Sequence, residues 1–157
     1  MGYALQSLLD IRLMREDKAS GELTAARQAV RAAEAALAER RRELEEFSRT
    51  CEERRDRIYD AIMGRPVSRD QIDLAQEGVA RIDEEKALRA DNVVRAEGEL
   101  RTREANAETA RTAFIAASKN RMKIDEHKSV WLAEDLKAQE ALAEGELEDF
   151  VVRKEEV

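Results

Sequence analysis

A single histidine, His127, and a single cysteine, Cys51, are the side chains of this sequence best suited to proton transfer or nucleophilic attack. Neither has the company that such chemistry needs. His127 has no second imidazole, and Glu126 beside it projects from a different side of any helix, so it reads as an ordinary surface histidine. Cys51 falls at a regular apolar position, where burial disfavours a thiolate, and it reads as core filler. Paired carboxylates such as Glu45 with Glu46, or Glu84 with Glu85, serve as general acid and base only in a cleft that separates their pKa values. An exposed helix surface offers no such cleft. The run Arg40-Arg41-Arg42 is a candidate phosphate patch until Glu39, Glu43, Glu45 and Glu46 are read beside it. No glycine-rich phosphate loop, metal-ligand spacing or nucleophile motif occurs. The sequence therefore predicts a protein that is not an enzyme and uses no cofactor or metal.

The elements that carry these residues follow from composition. Charged residues fill 40% of the 157 positions and aromatics 4%, with one proline. Ala, Glu, Arg, Leu and Lys together exceed half the chain, the signature of long helices and coiled coils, and too few large apolar residues remain for a three-dimensional core. The net charge of −7 argues against nucleic-acid binding, which relies on basic contacts to phosphates. Most of that charge lies in residues 133–157, where Glu134, Asp135, Glu140, Glu144, Glu146, Glu148, Asp149, Glu155 and Glu156 outnumber Lys137, Arg153 and Lys154. No apolar run approaches the roughly 20 residues that span a bilayer, and Met-Gly-Tyr-Ala-Leu does not open a signal peptide. A cytoplasmic protein without membrane insertion is expected, in agreement with the lone cysteine.

The only proline sits in Met63-Gly64-Arg65-Pro66-Val67-Ser68, and helix punctuation is complete on both sides of it. Gly64 can take the left-handed conformation that ends a helix, and Pro66 stops the helix from continuing. Ser68 and Gln71 can exchange the reciprocal hydrogen bonds of a capping box, with Val67 stapled onto Ile72. Upstream, Leu23, Val30, Leu37, Leu44, Cys51 and Ile58 recur every seven residues, beside a column through Ala19, Ala26, Ala33, Arg40, Phe47, Arg54 and Ala61. Downstream, Ile72, Val79, Lys86, Val93, Leu100, Ala107 and Phe114 make one column. Ala75, Ile82, Arg89, Ala96, Arg103, Ala110, Ala117 and Ile124 make the other.

These patterns predict an all-α fold, one long antiparallel two-helix coiled-coil hairpin over residues 1–157. Helix 1 is expected at about 3–63, the turn at 64–68 and helix 2 at about 69–150. With so short a connection, Ile58 should lie near Ile72, Leu37 near Val93 and Leu9 near Arg121. Arms of about 60 residues would be roughly 90 Å long. Since each helix finds a seam partner within the chain, a monomer is expected in dilute solution.

Two places carry more apolar surface than this seam covers. In the first, Leu5, Leu8, Leu9, Ile11, Leu13 and Met14 surround more than one side of a helix. In the second, the acidic overhang 133–157 and the residues just before it leave Trp131, Leu132 and Leu136 without a seam; packing of Trp131 on Tyr3 and Leu5, or a partner surface, are the alternatives.

The opening from Tyr3 to Ala19, with Leu8-Leu9-Asp10-Ile11-Arg12 and Arg15-Glu16-Asp17-Lys18-Ala19, followed by an Ala/Glu/Arg-rich hairpin, resembles the YscO/FliJ family of type III secretion central-stalk proteins. The resemblance implies an accessory of the hexameric secretion ATPase, similar to the stalk of the F1 ATPase. Such a stalk sits in the ring at the cytoplasmic face of the apparatus, links it to an export gate protein and in some members handles secretion chaperones. It also implies Leu8, Leu9, Arg12, Arg15 and Lys18 as ring contacts. Trp131, Leu132 and Leu136 are candidates at the overhang, and Gly64, Arg65, Pro66 and Ser68 form the turn at the other end. The alternative is a passive coiled-coil scaffold or tether. A prefoldin-like chaperone is disfavoured because the turn cannot hold a β-hairpin, and an RNA-clamping arm is disfavoured by charge.

Overall fold

The computed structural model describes residues 2–155, and Glu156 of the acidic tail lies outside them. Two helices form an antiparallel hairpin: α1, Gln6–Asp60, and α2, Arg69–Glu155. By contacts the chain divides into two compact units, Thr24–Thr109 on one hand and Met1–Leu23 with Ala110–Val157 on the other.

In the unit Thr24–Thr109 the heptad columns are the core. Ala33, Leu37, Phe47, Cys51, Ala75 and Ile82 are all buried, with Cys51 only 2% exposed. Phe47, Cys51 and Ile82 form one cluster, against which Ile58 packs. Among the arginines of the columns, Arg54 and Arg89 use their guanidinium planes: they lie 4.9 and 4.1 Å from the centre of the Phe47 ring. Cation–π contact lets the stems cover the aromatic ring while the charges reach water. Outside the seam, Arg41 pairs with Glu97 at 3.1 Å and Arg55 with Asp83. The run Arg40-Arg41-Arg42 is engaged with the chain's own carboxylates, because Arg40 also meets Glu43 at 2.9 Å and Arg42 meets Glu39 at 2.6 Å. These exposed pairs add little to stability individually. The pair Glu45–Arg49 behaves likewise, its hydrogen bond raising the arginine pKa further above neutrality.

The turn is built as its residues dictate, but it is not symmetric. After Asp60 one tight further turn follows, in which Ile62 and Met63 both donate backbone N–H bonds to the Tyr59 carbonyl at 3.0 and 2.9 Å. Gly64 then takes φ +72°, the left-handed conformation open to glycine. Ser68 N–H donates to Gln71 Oε1 at 2.8 Å, and Gln71 N–H donates to Ser68 Oγ at 3.3 Å, so the capping box is complete. Asp70 in the first turn of α2 and Arg153 and Lys154 in its last complement the helix dipole.

This asymmetry corrects the expected register. Ile58 lies on Gly78, not opposite Ile72, and Ile72 is 39% exposed. Arg55 on Asp83 and Arg41 on Glu97 share this offset, so residues of α1 meet partners further along α2 than expected. A side chain at position 78 would place its Cβ 3.1 Å from Ile58 Cδ1, whereas position 98 faces open space. Gly78 and Gly98 thus differ in kind.

Two outcomes follow from this packing. Leu37→Asp removes a buried side chain and strands a carboxylate in the seam, which should cost about 3 kcal/mol or more, whereas exposed Glu34→Ala should change stability by less than about 0.5 kcal/mol. Thermal melting of both variants checks the heptad assignment. Gly98→Ala should stabilise the helix by about 1 kcal/mol, and Gly78→Ala by clearly less because Ile58 must give way. Equal gains would mean that Ile58 does not rest on Gly78.

Candidate partner-binding surfaces

The unit that joins Met1–Leu23 to Ala110–Val157 holds the candidate surfaces, and polar contacts help to fasten its helices. Residues 2–5 leave the helical path, so α1 begins at Gln6 and not at residue 3. The reason is Tyr3. Its ring is 8% exposed and lies 5.4 Å from the Trp131 ring, and its hydroxyl is 2.7 Å from His127 Nδ1. Lys128 Nζ donates to Gln6 Oε1 at 2.8 Å, so the first residue of α1 is tied to α2 as well. About three turns further along α1, Glu16 accepts from Ser118 Oγ at 3.2 Å and pairs with Arg121, which also bonds Asp125. Arg121 donates to Glu16 and to Asp125, and these hydrogen bonds, that to Glu16 first, raise its pKa.

The placement of each expected contact can now be stated. Arg15 and Lys18 are exposed, Lys18 being engaged only with Glu22 at 3.9 Å. Leu8 and Arg12 are half-buried, and Arg12 Nε is covered without a hydrogen-bond partner among the described residues. Leu9 is 4% exposed and belongs to the seam, so no partner reaches it while the helices stay paired. The apolar side chains that do face outward beside Arg15 and Lys18 are Ile11 and Met14, the latter 70% exposed. Helical spacing places them there, since positions 11, 14, 15 and 18 share one side of α1. Trp131 is half-buried on Tyr3 and is not free, whereas Leu132 and Leu136 remain exposed. His127, although exposed, is tied to Tyr3, a link that sequence spacing across 124 residues could not reveal.

At the turn, Gly64, Arg65, Pro66 and Ser68 are all exposed. They have apolar company that sequence reading missed: Tyr59, Met63 and Leu74 stand outside the seam columns and are exposed, around a notch of about 480 Å³ that Ile58, Ile62 and Leu74 line. Among the described residues no group of three or more His, Cys, Asp or Glu side chains converges on a point where a metal could bind. No helix among them is long and apolar enough to cross a membrane. The arrangement offers surfaces for other proteins to grip, and these lie on helix faces and at the turn.

Comparison with known proteins agrees with this picture. No curated protein matches the chain. The solved structure of CT670 from Chlamydia trachomatis, a proposed YscO homolog, superposes with a TM-score of 0.73 at 19% identity, covering 96% of this chain and 92% of that one. At that identity the match concerns the fold. The family model described as type III secretion protein YscO matches residues 5–153, nearly the whole of both helices. The chain belongs to the YscO family of type III secretion proteins.

Proposed function

We propose that this protein is a non-enzymatic stalk of a type III secretion system. In this reading it binds the hexameric export ATPase at the cytoplasmic face of the apparatus, stimulates or organises it, and links it to the export gate protein. Handling of secretion chaperones is a further role of the same surfaces. The observation that carries the reading is family membership over residues 5–153. The exposed set Ile11, Met14, Arg15 and Lys18 supports it, because an apolar centre with flanking bases suits a partner lined by carboxylates. Arg12 is half-buried with its Nε covered, so it presents less of its charge than Arg15 and Lys18 do.

ATP hydrolysis by the assembled export ATPase, measured with and without this chain, tests the proposal. Stimulation is expected, and Arg15→Glu with Lys18→Glu should abolish it while helicity and melting temperature stay unchanged, since exposed charges contribute little to folding. Loss of stimulation from Arg65→Glu at the turn, with the double variant still active, would mean that the opposite end meets the ring. An ATPase rate unaffected at saturating stalk protein would favour the passive scaffold.

A further inference from the structure

Several features that loosen a helix meet on α2 between Gly98 and Thr109. Every residue from 101 to 106 is exposed, and the run is bounded by Leu100 and Ala107, which are only half-buried. Arg103 holds a column position there, but its Nε donates at 2.7 Å to Glu99 Oε1, one turn back on the same helix. Beside it a groove of about 330 Å³ lies open, lined by Ala29, Ala32, Ala33, Glu99 and Arg103. Packing does not demand the glycine at position 98, since a Cβ built there would meet nothing within 4 Å. The Gly98 carbonyl accepts from Thr102 Oγ1 at 3.1 Å, and the Ala105 carbonyl accepts from Thr109 Oγ1 at the same distance. Bonds from a hydroxyl to the carbonyl four residues earlier compete with the helix's own and often bend it. A glycine in the same turn supplies the backbone freedom to do so.

Exposure alone does not set this stretch apart. Residues 83–88 are exposed as well, yet they lie between Ile82, buried in the cluster with Phe47 and Cys51, and Arg89, whose guanidinium covers Phe47. Arg55 also reaches across to Asp83 within that run. The facing helix is different again. There is no glycine in α1 between Gly21 and Gly64, and along the groove it runs Ala29-Val30-Arg31-Ala32-Ala33, with Ala33 and Leu37 buried. Alanine is the strongest helix former and glycine, proline apart, the weakest. We propose that α2 has a built-in flexure at residues 98–106, where its backbone hydrogen bonds open ahead of those on either side while α1 stays helical beside it. Local opening falls where few buried contacts support the backbone. Bending strain put on the hairpin is then taken up at the groove, and the cluster of Phe47, Cys51 and Ile82 is spared. The proposal goes beyond the stalk reading, and its test does not use the ATPase.

Native-state hydrogen exchange of the full chain, read by mass spectrometry over short peptides, tests it. After correction for sequence, amides 99–106 should exchange about tenfold faster than amides 83–88 of the same helix and 29–37 of α1. Gly98→Ala with Thr102→Ala puts a strong helix former at both weak positions, so the variant keeps the fold. It should slow exchange at 99–106 about tenfold and leave 83–88 unchanged. Protection of 99–106 equal to or above that of 83–88 overturns the proposal, because exposure would then govern exchange without a flexure. Exchange of 29–37 in step with 99–106 overturns it as well, since the helix pair would then open as a unit. So does a double variant whose amides 99–106 exchange at the wild-type rate.

Discussion

A pair of helices can hide from water only the side chains on the stripe where they meet, about two positions in seven. Everything in this protein depends on that stripe being continuous. Cys51 at 2% exposed and Leu9 at 4% are as covered as residues in globular cores, yet each is followed at once by an exposed acid, Glu52 and Asp10. No second layer of packing stands behind them. The arginines over Phe47 show how tightly space is used, since even charged positions of the stripe are turned into cover for an aromatic ring. A fold of this kind leaves most of its surface polar, and function must come from what lies on the faces and at the ends.

The contacts that tie α1 to α2 in the unit containing both chain termini include specific polar pairs beside the buried Leu9, Ala19 and Leu23, which matters for specificity. Apolar stripes of alanine and leucine can slide by a heptad at small cost, whereas Glu16 with Arg121 and Ser118, and Tyr3 with His127, match in one alignment only. Arg121 is drawn in two directions, to Glu16 on the facing helix and to Asp125 one turn further along its own. A displaced register would leave partly covered charges without partners, a larger penalty than the loss of a few methyl contacts. The same alignment brings Ile11, Met14, Arg15 and Lys18 to the outside, so the proposed contact face is fixed by bonds formed on the opposite side of α1.

Much of this was legible in the sequence because it is periodic or local. The columns through Leu37, Cys51, Ala75 and Ile82 can be read from sevenfold spacing, and the exchange between Ser68 and Gln71 needs only three residues. The register was not, since it depends on how the chain closes between Asp60 and Ser68, which the punctuation at Gly64 and Pro66 does not fix. Tyr3 was not legible in detail either: a lone aromatic ahead of a helix gives no sign of swinging onto a histidine 124 residues away. Leu9 was a contact candidate through the family resemblance, and only pairing decides which side of the opening helix is covered.

The order in which these contacts can form during synthesis is built into the hairpin. Arg55 and Asp83 are 28 residues apart, Arg41 and Glu97 are 56 apart, and Tyr3 and His127 are 124 apart. Helix pairing can begin near the turn soon after α2 starts to emerge, because the loop to be closed is short, and it then proceeds outward like a zip. The residues made first are covered last. Tyr3 and Leu9 must wait for His127 and its neighbours to leave the ribosome, and throughout that interval the opening segment displays all of its apolar side chains. The nascent chain thus offers proteases and folding helpers an uncovered amino-terminal helix that the finished protein hides on one side.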